Sequence, residues 1–228
     1  MFLSTIILAA GKGSRMRSSL PKVLHQVAGK SLIEFSLDLS IGLNSNQIIV
    51  VLNEEINSIK ESLNGKHRQL CYAVQKEQKG TGHAVKVAWN NIKKHSEATL
   101  ILYGDTPFIR KNTVQRMSKK IEKGYDFVFL GFQSQKNNKY GKFKIGVKGS
   151  LLEIIESTEK GYNSELTLSN SGIIFAKTKS INQLLPKLNN RNKKKEYFLT
   201  DLVALAQKNN MSVTYLECSE KECQGVNS

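Results

Sequence analysis

No apolar run in this 228-residue chain approaches the length needed to span a bilayer. The apolar stretch Ile6–Ala10 runs straight into Gly11-Lys12, so the start also lacks the core of a signal peptide. Both absences predict a cytoplasmic protein. Cysteine is scarce, and Cys71, Cys218 and Cys223 are odd in number and scattered, which excludes a disulfide framework. Four residues separate Cys218 from Cys223, with no second pair to complete a zinc site, so the three read as structural thiols. Neither an internal repeat nor a low-complexity linker divides the chain, which predicts one domain over residues 1–228.

Carboxylates are also in short supply: 19 Asp and Glu stand against 34 Lys and Arg, a formal net charge of +15. A balance this basic raises nucleic acid as a partner, and Arg191-Asn192-Lys193-Lys194-Lys195 is the candidate patch. No aromatic positions interleave with it to stack on bases, and lysines are spread through the whole chain. The sequence therefore reads as a solvated lysine-rich surface that attracts anionic nucleotides and sugar phosphates, with no nucleic acid partner.

What is present points to a globular α/β domain: 39% of the residues are hydrophobic, in regularly spaced runs. Strands are predicted at Phe2–Ala10, Gln47–Leu52, Gln69–Val74 and Ala98–Tyr103, with helices at Ser31–Ile41, Glu55–Leu63 and Gly82–Ile92 between them. This alternation predicts a Rossmann-like, mainly parallel sheet with helices on both faces. Ligands then gather at the carboxyl ends of the strands, where Gly11 to Arg15 and Gly104-Asp105 both fall. Beyond a helix at Lys111–Lys123 and a strand at Phe127–Phe132, the pattern changes. Lys142–Val147 and Leu151–Glu156 read as a hairpin turned at residues 148–150, the core of a small β-rich insertion over the site. A strand at Glu165–Phe175, helices at Lys179–Leu188 and Leu199–Gln207, and a strand at Ser212–Glu217 complete the reading.

The opening carries the chemistry. Thr5-Ile6-Ile7-Leu8-Ala9-Ala10 feeds Gly11-Lys12-Gly13-Ser14-Arg15-Met16, and Leu20-Pro21-Lys22-Val23-Leu24 follows. A buried strand entering a glycine-rich loop offers backbone amides and cations to phosphates. The spacing does not fit a Walker loop, and Met16 stands where a dinucleotide fingerprint needs its third glycine. Two loop cations and Lys22 suit a triphosphate whose charge must be neutralised while one bond is displaced. An ordinary glycine turn after a strand is the plainer alternative. Glu54, following the strand at Gln47–Leu52, mimics the ribose-binding acid of NAD-binding proteins and keeps that alternative open.

The opening resembles the nucleoside-triphosphate sugar nucleotidyltransferases, in particular the uridylyltransferase part of the bacterial bifunctional N-acetylglucosamine-1-phosphate uridylyltransferase/glucosamine-1-phosphate acetyltransferase family. Matching stretches run through the chain: Gln75-Lys76-Glu77-Gln78-Lys79-Gly80-Thr81-Gly82-His83-Ala84, Leu102-Tyr103-Gly104-Asp105-Thr106-Pro107, Tyr140-Gly141-Lys142, Asn170-Ser171-Gly172-Ile173, Glu196-Tyr197-Phe198-Leu199-Thr200-Asp201 and Gly225-Val226-Asn227. The resemblance implies uridylyl transfer from UTP to N-acetyl-α-D-glucosamine 1-phosphate, supplying UDP-N-acetylglucosamine for cell-wall and lipopolysaccharide precursors. It implies a nucleotide-binding part over about residues 1–110 and a sugar-binding part over about 111–228.

By the same resemblance Arg15 and Lys22 are catalytic cations, and Asp105 and Asn227 hold Mg²⁺. Leu8, Ala9, Ala10, Gly11 and Gly13 surround the nucleotide, Gln75, Gly80 and Thr81 read the uracil, and Tyr103 and Gly104, just before Asp105, also bind nucleotide or sugar. Gly141, Glu156, Asn170, Tyr197 and Thr200 surround the sugar. Direct displacement by an already anionic nucleophile needs no acid-base histidine, so His83 reads as a packing or capping residue. Two departures bear on the sugar: Gly141-Lys142 stands where the family has Gly-Arg, and Ser157-Thr158-Glu159 where it has Lys-Asp-Ala. The alternative enzyme reading is nucleotidyl transfer to another sugar 1-phosphate or an alcohol phosphate. The family's hexapeptide repeats are absent from these residues, so no acetyl transfer is expected of them, and the self-association implied by the family is expected to be weaker without that β-helix.

Overall fold

Continuous runs of β-branched and apolar residues leave a strand no polar face, so such strands are buried on both sides of a sheet. β1 (Leu3–Leu8), β4 (Gln47–Leu52) and β6 (Ala98–Tyr103) meet that condition. In a computed structural model, which describes residues 1–11, 13, 16, 18–54, 56–63, 70–135 and 138–226 (56 and 148 by backbone alone), they form the centre of the sheet.

The path of the sheet is β11-β7-β10-β6-β1-β4-β5, with β5 at Leu70–Val74, β7 at Phe127–Gln133, β10 at Leu168–Lys177 and β11 at Val213–Cys218. Neighbours β6, β1, β4 and β5 are parallel, as are β11 and β7. β10 is antiparallel to both β6 and β7, a reversal the periodicity did not reveal. β8 (Lys142–Ile145) and β9 (Leu151–Ile155) form the expected hairpin, joined to the sheet where Lys142 meets Ser169 on β10.

Helices cover both faces. α1 (Leu32–Gly42), α2 (Ile56–Leu63) and α4 (Lys111–Glu122) bury Ile33, Leu37, Ile59, Val114 and Met117 on one side. α3 (Thr81–Trp89), α5 (Thr178–Leu184) and α6 (Asp201–Lys208) bury Val85, Ile181, Leu184, Leu202 and Val203 on the other. α1 starts where Ser31 donates its backbone N–H to the Glu34 carboxylate at 3.0 Å, a capping interaction between residues three apart.

Three further elements were not legible. β2 (Gln26–Val27) and β3 (Lys30–Ser31) form a two-residue ribbon whose turn places Ala28 at φ 51° and Gly29 at φ 78°. The short α7 (Glu220–Cys223) follows β11. The predicted helix at Lys179–Leu188 ends at Leu184, where Pro186 lies in a 3-10 turn over Leu185–Lys187. Cys218 and Cys223 face each other across β11 and α7 with Sγ atoms 3.1 Å apart.

Candidate active site

The carboxyl ends of β1, β5 and β6 open into one cleft of about 620 Å³, within the size range of small-molecule sites. Leu8, Ala9, Ala10, Gly11 and Gly13 line it from the end of β1; Arg15, Lys12 and Ser14 lie outside the described residues. Gly13 packs so tightly on Lys22 that a Cβ there would sit 2.6 Å from the Lys22 Cβ, which fixes the loop against the segment after Pro21. Lys22 extends to Asp105 just beyond β6, and its Nζ donates to Asp105 Oδ2. The pair is largely buried, at 10% and 26% side-chain exposure.

Gly104 does not line the cleft. It lies behind it, donating to the Leu8 carbonyl at 2.9 Å and lying close to Ala9 and Val23. Its place in the site is therefore corrected to that of a spacer joining the ends of β1 and β6. Val226, the chain neighbour of Asn227, donates its backbone N–H to the Asp105 carbonyl at 3.0 Å. Asn227 itself is outside the described residues. Among the described residues no three His, Cys, Asp or Glu side chains gather as a metal cluster. A single carboxylate completed by substrate phosphates and water is a common Mg²⁺ arrangement, so the hard-oxygen donor at Asp105 fits that ion.

A second wall of the cleft follows β5. Gln75, 4% exposed, donates Nε2 to the Gly80 carbonyl and to His83 Nδ1, both at 3.1 Å. His83 thus neither caps nor merely packs, and the expectation for it is corrected to a hydrogen-bond acceptor. Gly80 adopts φ 96° and could not carry a Cβ, which would meet the Tyr197 carbonyl oxygen at 2.7 Å. That contact is part of a backbone clasp: Tyr197 donates to Lys79 O and accepts from Gly82 N, each at 2.8 Å.

Tyr197 is also corrected. It does not line the cleft; its ring is inclined 30° to that of His83, 6.2 Å between centroids, with Lys86 Nζ 4.2 Å from its centroid. Its chain neighbours Glu196, Phe198, Leu199 and Thr200 line the cleft instead.

Gly141, Glu156, Asn170 and Thr200 line the same cleft. Thr200 Oγ1 donates to Glu156 Oε1 at 2.9 Å, and Asn170 donates its backbone N–H to Gly141 O at 2.8 Å. Burial raises the Glu156 pKa, opposed by the Thr200 hydrogen bond and by Lys194. The predicted strand through Asn170-Ser171-Gly172 is broken by a register shift between Asn170 and Ile174, the kind of bulge that re-aims side chains beside sites. Gly172, at φ 85°, sits against the Tyr103 ring, which a Cβ would meet at 2.5 Å.

Lys142 is fully buried, its Nζ 2.8 Å from Ser169 Oγ and 3.3 Å from Ser134 Oγ, and burial lowers its pKa. The Gly-Lys departure therefore lies behind the wall, and Ser157, Thr158 and Glu159 do not line the cleft either.

Sequence reasoning missed several lining residues. Gln78 ties the wall after β5 to the phosphate loop by donating Nε2 to Ala10 O at 2.6 Å. Its place three residues after Gln75 in the same matched stretch was the available signal. Lys139 and Lys194 bring cations to the cleft, Lys194 as an exposed residue of the 191–195 run.

Asp201 opens α6. Burial, then the Glu156, Glu159 and Glu153 carboxylates, pushes its pKa from 3.8 up to about 6. A raised acid holds its proton more tightly folded than unfolded, so stability falls as pH rises from about 4 to about 6. Asp201→Asn is expected to flatten that slope; urea melts at pH 4, 5, 6 and 7 showing equal slopes in both proteins would remove Asp201 as a cause.

The family described as MobA-like NTP transferase domain matches residues 5–185. Relatives named bifunctional protein GlmU match over nearly the whole of this chain. Those of Ruegeria sp., a Wolbachia sp. of Brugia malayi and Clostridioides difficile are 36%, 38% and 37% identical, over 100%, 98% and 100% of this chain. The matches cover 51%, 54% and 50% of those proteins, so the chain spans about half the length of the curated relatives it matches. A solved structure of a putative glucose-1-phosphate thymidylyltransferase from Bacillus anthracis, in complex with a sucrose, superposes with a TM-score of 0.80 at 19% identity. It covers 95% of this chain and 87% of its own, a likeness of fold. Among the described residues no helix is long and apolar enough to cross a membrane.

Proposed function

Because the chain belongs to the MobA-like NTP transferase domain family, we propose that it transfers the uridylyl group of UTP to N-acetyl-α-D-glucosamine 1-phosphate, releasing pyrophosphate. The observation that carries this reading is the single cleft holding a glycine-rich loop, the Lys22–Asp105 pair, the Gln75 carboxamide and the Gly141, Glu156, Asn170, Thr200 group. Those are the parts needed for a triphosphate, its base and a polar sugar side by side. The relatives named GlmU support the choice of uridylyl and N-acetylglucosamine.

A phosphate oxygen of the sugar 1-phosphate attacks the α-phosphorus of UTP while the bond to the bridging oxygen breaks and its electrons leave with pyrophosphate. The nucleophile is already an anion, so no side chain need take a proton. Lys22 offers a point charge to the α-phosphate, and Arg15 a planar fork to the leaving oxygens. Asp105, joined by Asn227, would hold Mg²⁺, which when bound offsets charge on the phosphate oxygens. Gln75, Gly80 and Thr81 orient the base, and the Glu156–Thr200 pair orients sugar hydroxyls. Mg²⁺, the cytoplasm, and UDP-N-acetylglucosamine supply for cell-wall synthesis belong to this reading, as does self-association.

A coupled pyrophosphate-release assay over UTP, CTP and GTP, crossed with a panel of hexose and hexosamine 1-phosphates, tests it. Release is expected with UTP and an N-acetylhexosamine 1-phosphate, and only with Mg²⁺ present. Equal turnover with CTP or GTP would overturn the base assignment, and preference for another sugar phosphate the acceptor assignment.

A further inference from the structure

We propose that His83 is a positioning residue that sets the nucleotide's base identity by fixing which end of the Gln75 carboxamide faces the ligand; this rests on the reading of Gln75 as the base-contacting residue. The Gly80 carbonyl can only accept, so the Gln75 atom 3.1 Å from it is the amide nitrogen. That nitrogen also lies 3.1 Å from His83 Nδ1. With one proton on Gly80 O, its second is given to Nδ1, which must carry a lone pair. The neutral ring therefore holds its proton on Nε2.

Both amide protons are then committed within the protein. Oε1 is the one polar atom that Gln75, a residue lining the cleft, keeps for a ligand, and it has no partner among the described residues. An acceptor at this wall complements the N3–H of uracil. Cytosine presents an N3 lone pair at the same position, so this wall rejects it.

Tyr197 lies beside the His83 ring, 6.2 Å between centroids and inclined by 30°; the Lys86 ammonium sits over the Tyr197 ring, and the Lys79–Gly82 clasp fixes the Tyr197 backbone. Without the Nδ1 acceptor the carboxamide loses half the reason for its orientation. Turned over, it would offer N–H to the base edge and favour cytosine over uracil.

The test is kcat/KM for UTP and CTP in the parent, His83→Phe, His83→Asn, Gln75→Ala and the Gln75→Ala/His83→Phe double variant. His83→Phe is expected to lower the UTP:CTP ratio roughly tenfold to hundredfold, the usual consequence of an unsatisfied or mismatched buried polar group. His83→Asn should restore most of it, since Oδ1 replaces Nδ1 as acceptor. In the Gln75→Ala background His83→Phe should change the ratio no further. If Gln75→Ala itself leaves the ratio unchanged, the base-contact premise fails. If Gln75→Ala relaxes the ratio and folded His83→Phe does not, His83 has no such role. Independently of any variant, ¹⁵N shifts of the His83 ring should place the neutral-ring proton on Nε2; a proton on Nδ1 would overturn the proposal.

Discussion

Asp105→Asn is expected to lose turnover by at least the roughly hundred- to thousandfold typical of removing one transition-state electrostatic contact, at any practical Mg²⁺ concentration. In the structure its carboxylate terminates β6 and is bonded by Lys22. The amide keeps the shape and loses the charge, so it neither attracts a hard cation nor balances the lysine. Asn227→Ala should cost less, because a neutral oxygen ligand is one that water can replace, and excess Mg²⁺ should recover part of the loss. Activity titrated with Mg²⁺ across the parent and both variants separates the cases. Asp105→Asn activity approaching the parent's at high Mg²⁺ would place the metal's main ligand elsewhere. Indistinguishable metal dependence in parent and Asn227→Ala would remove Asn227 from the site. Thermal melts of each variant guard against reading an unfolded protein as an inactive one.

The same strand ends explain what the sequence could and could not reveal. β4 and β6 are uninterrupted apolar runs buried on both faces, and their limits, Gln47–Leu52 and Ala98–Tyr103, coincide with the periodicity. The Gly11–Gly13 turn and Asp105 share a crevice because both follow such strands. Strand direction is another matter. Burial alternates identically in a parallel and an antiparallel neighbour, so nothing in Leu168–Lys177 announced that β10 runs against β6 and β7.

The site divides along a similar line. The family resemblance pointed to the segments 75–84, 141, 156, 170 and 196–201, and the structure brings these segments to one cleft. Order does not say which face a side chain takes. Tyr197 turns to Lys86 and His83 while Glu196 and Phe198 face the cleft, and Lys194 joins them from a run that reads as plain surface. His83 was placed in the wrong role because its partner is set by a helix-to-strand approach, that of α3 to the end of β5, which no local pattern encodes.

Lys22→Ala carries the second large expectation, and its signature is two effects of opposite sign. Turnover should fall roughly a hundred- to thousandfold, because a cation meeting charge that moves during the displacement acts on the transition state. The Mg²⁺ concentration for half-maximal rate should fall as well, since Lys22 Nζ and the metal compete for the same Asp105 carboxylate. Lys22→Arg should not restore turnover, because a planar fork does not reproduce a point ammonium set on Asp105 by a stem packed against Gly13. Steady-state kinetics at varied UTP and Mg²⁺ read both quantities. An unchanged kcat with a raised KM for UTP would make Lys22 a ground-state binder. A raised Mg²⁺ requirement would mean that Lys22 orients Asp105 for the metal instead of competing with it, and the ion pair would then belong to the working site.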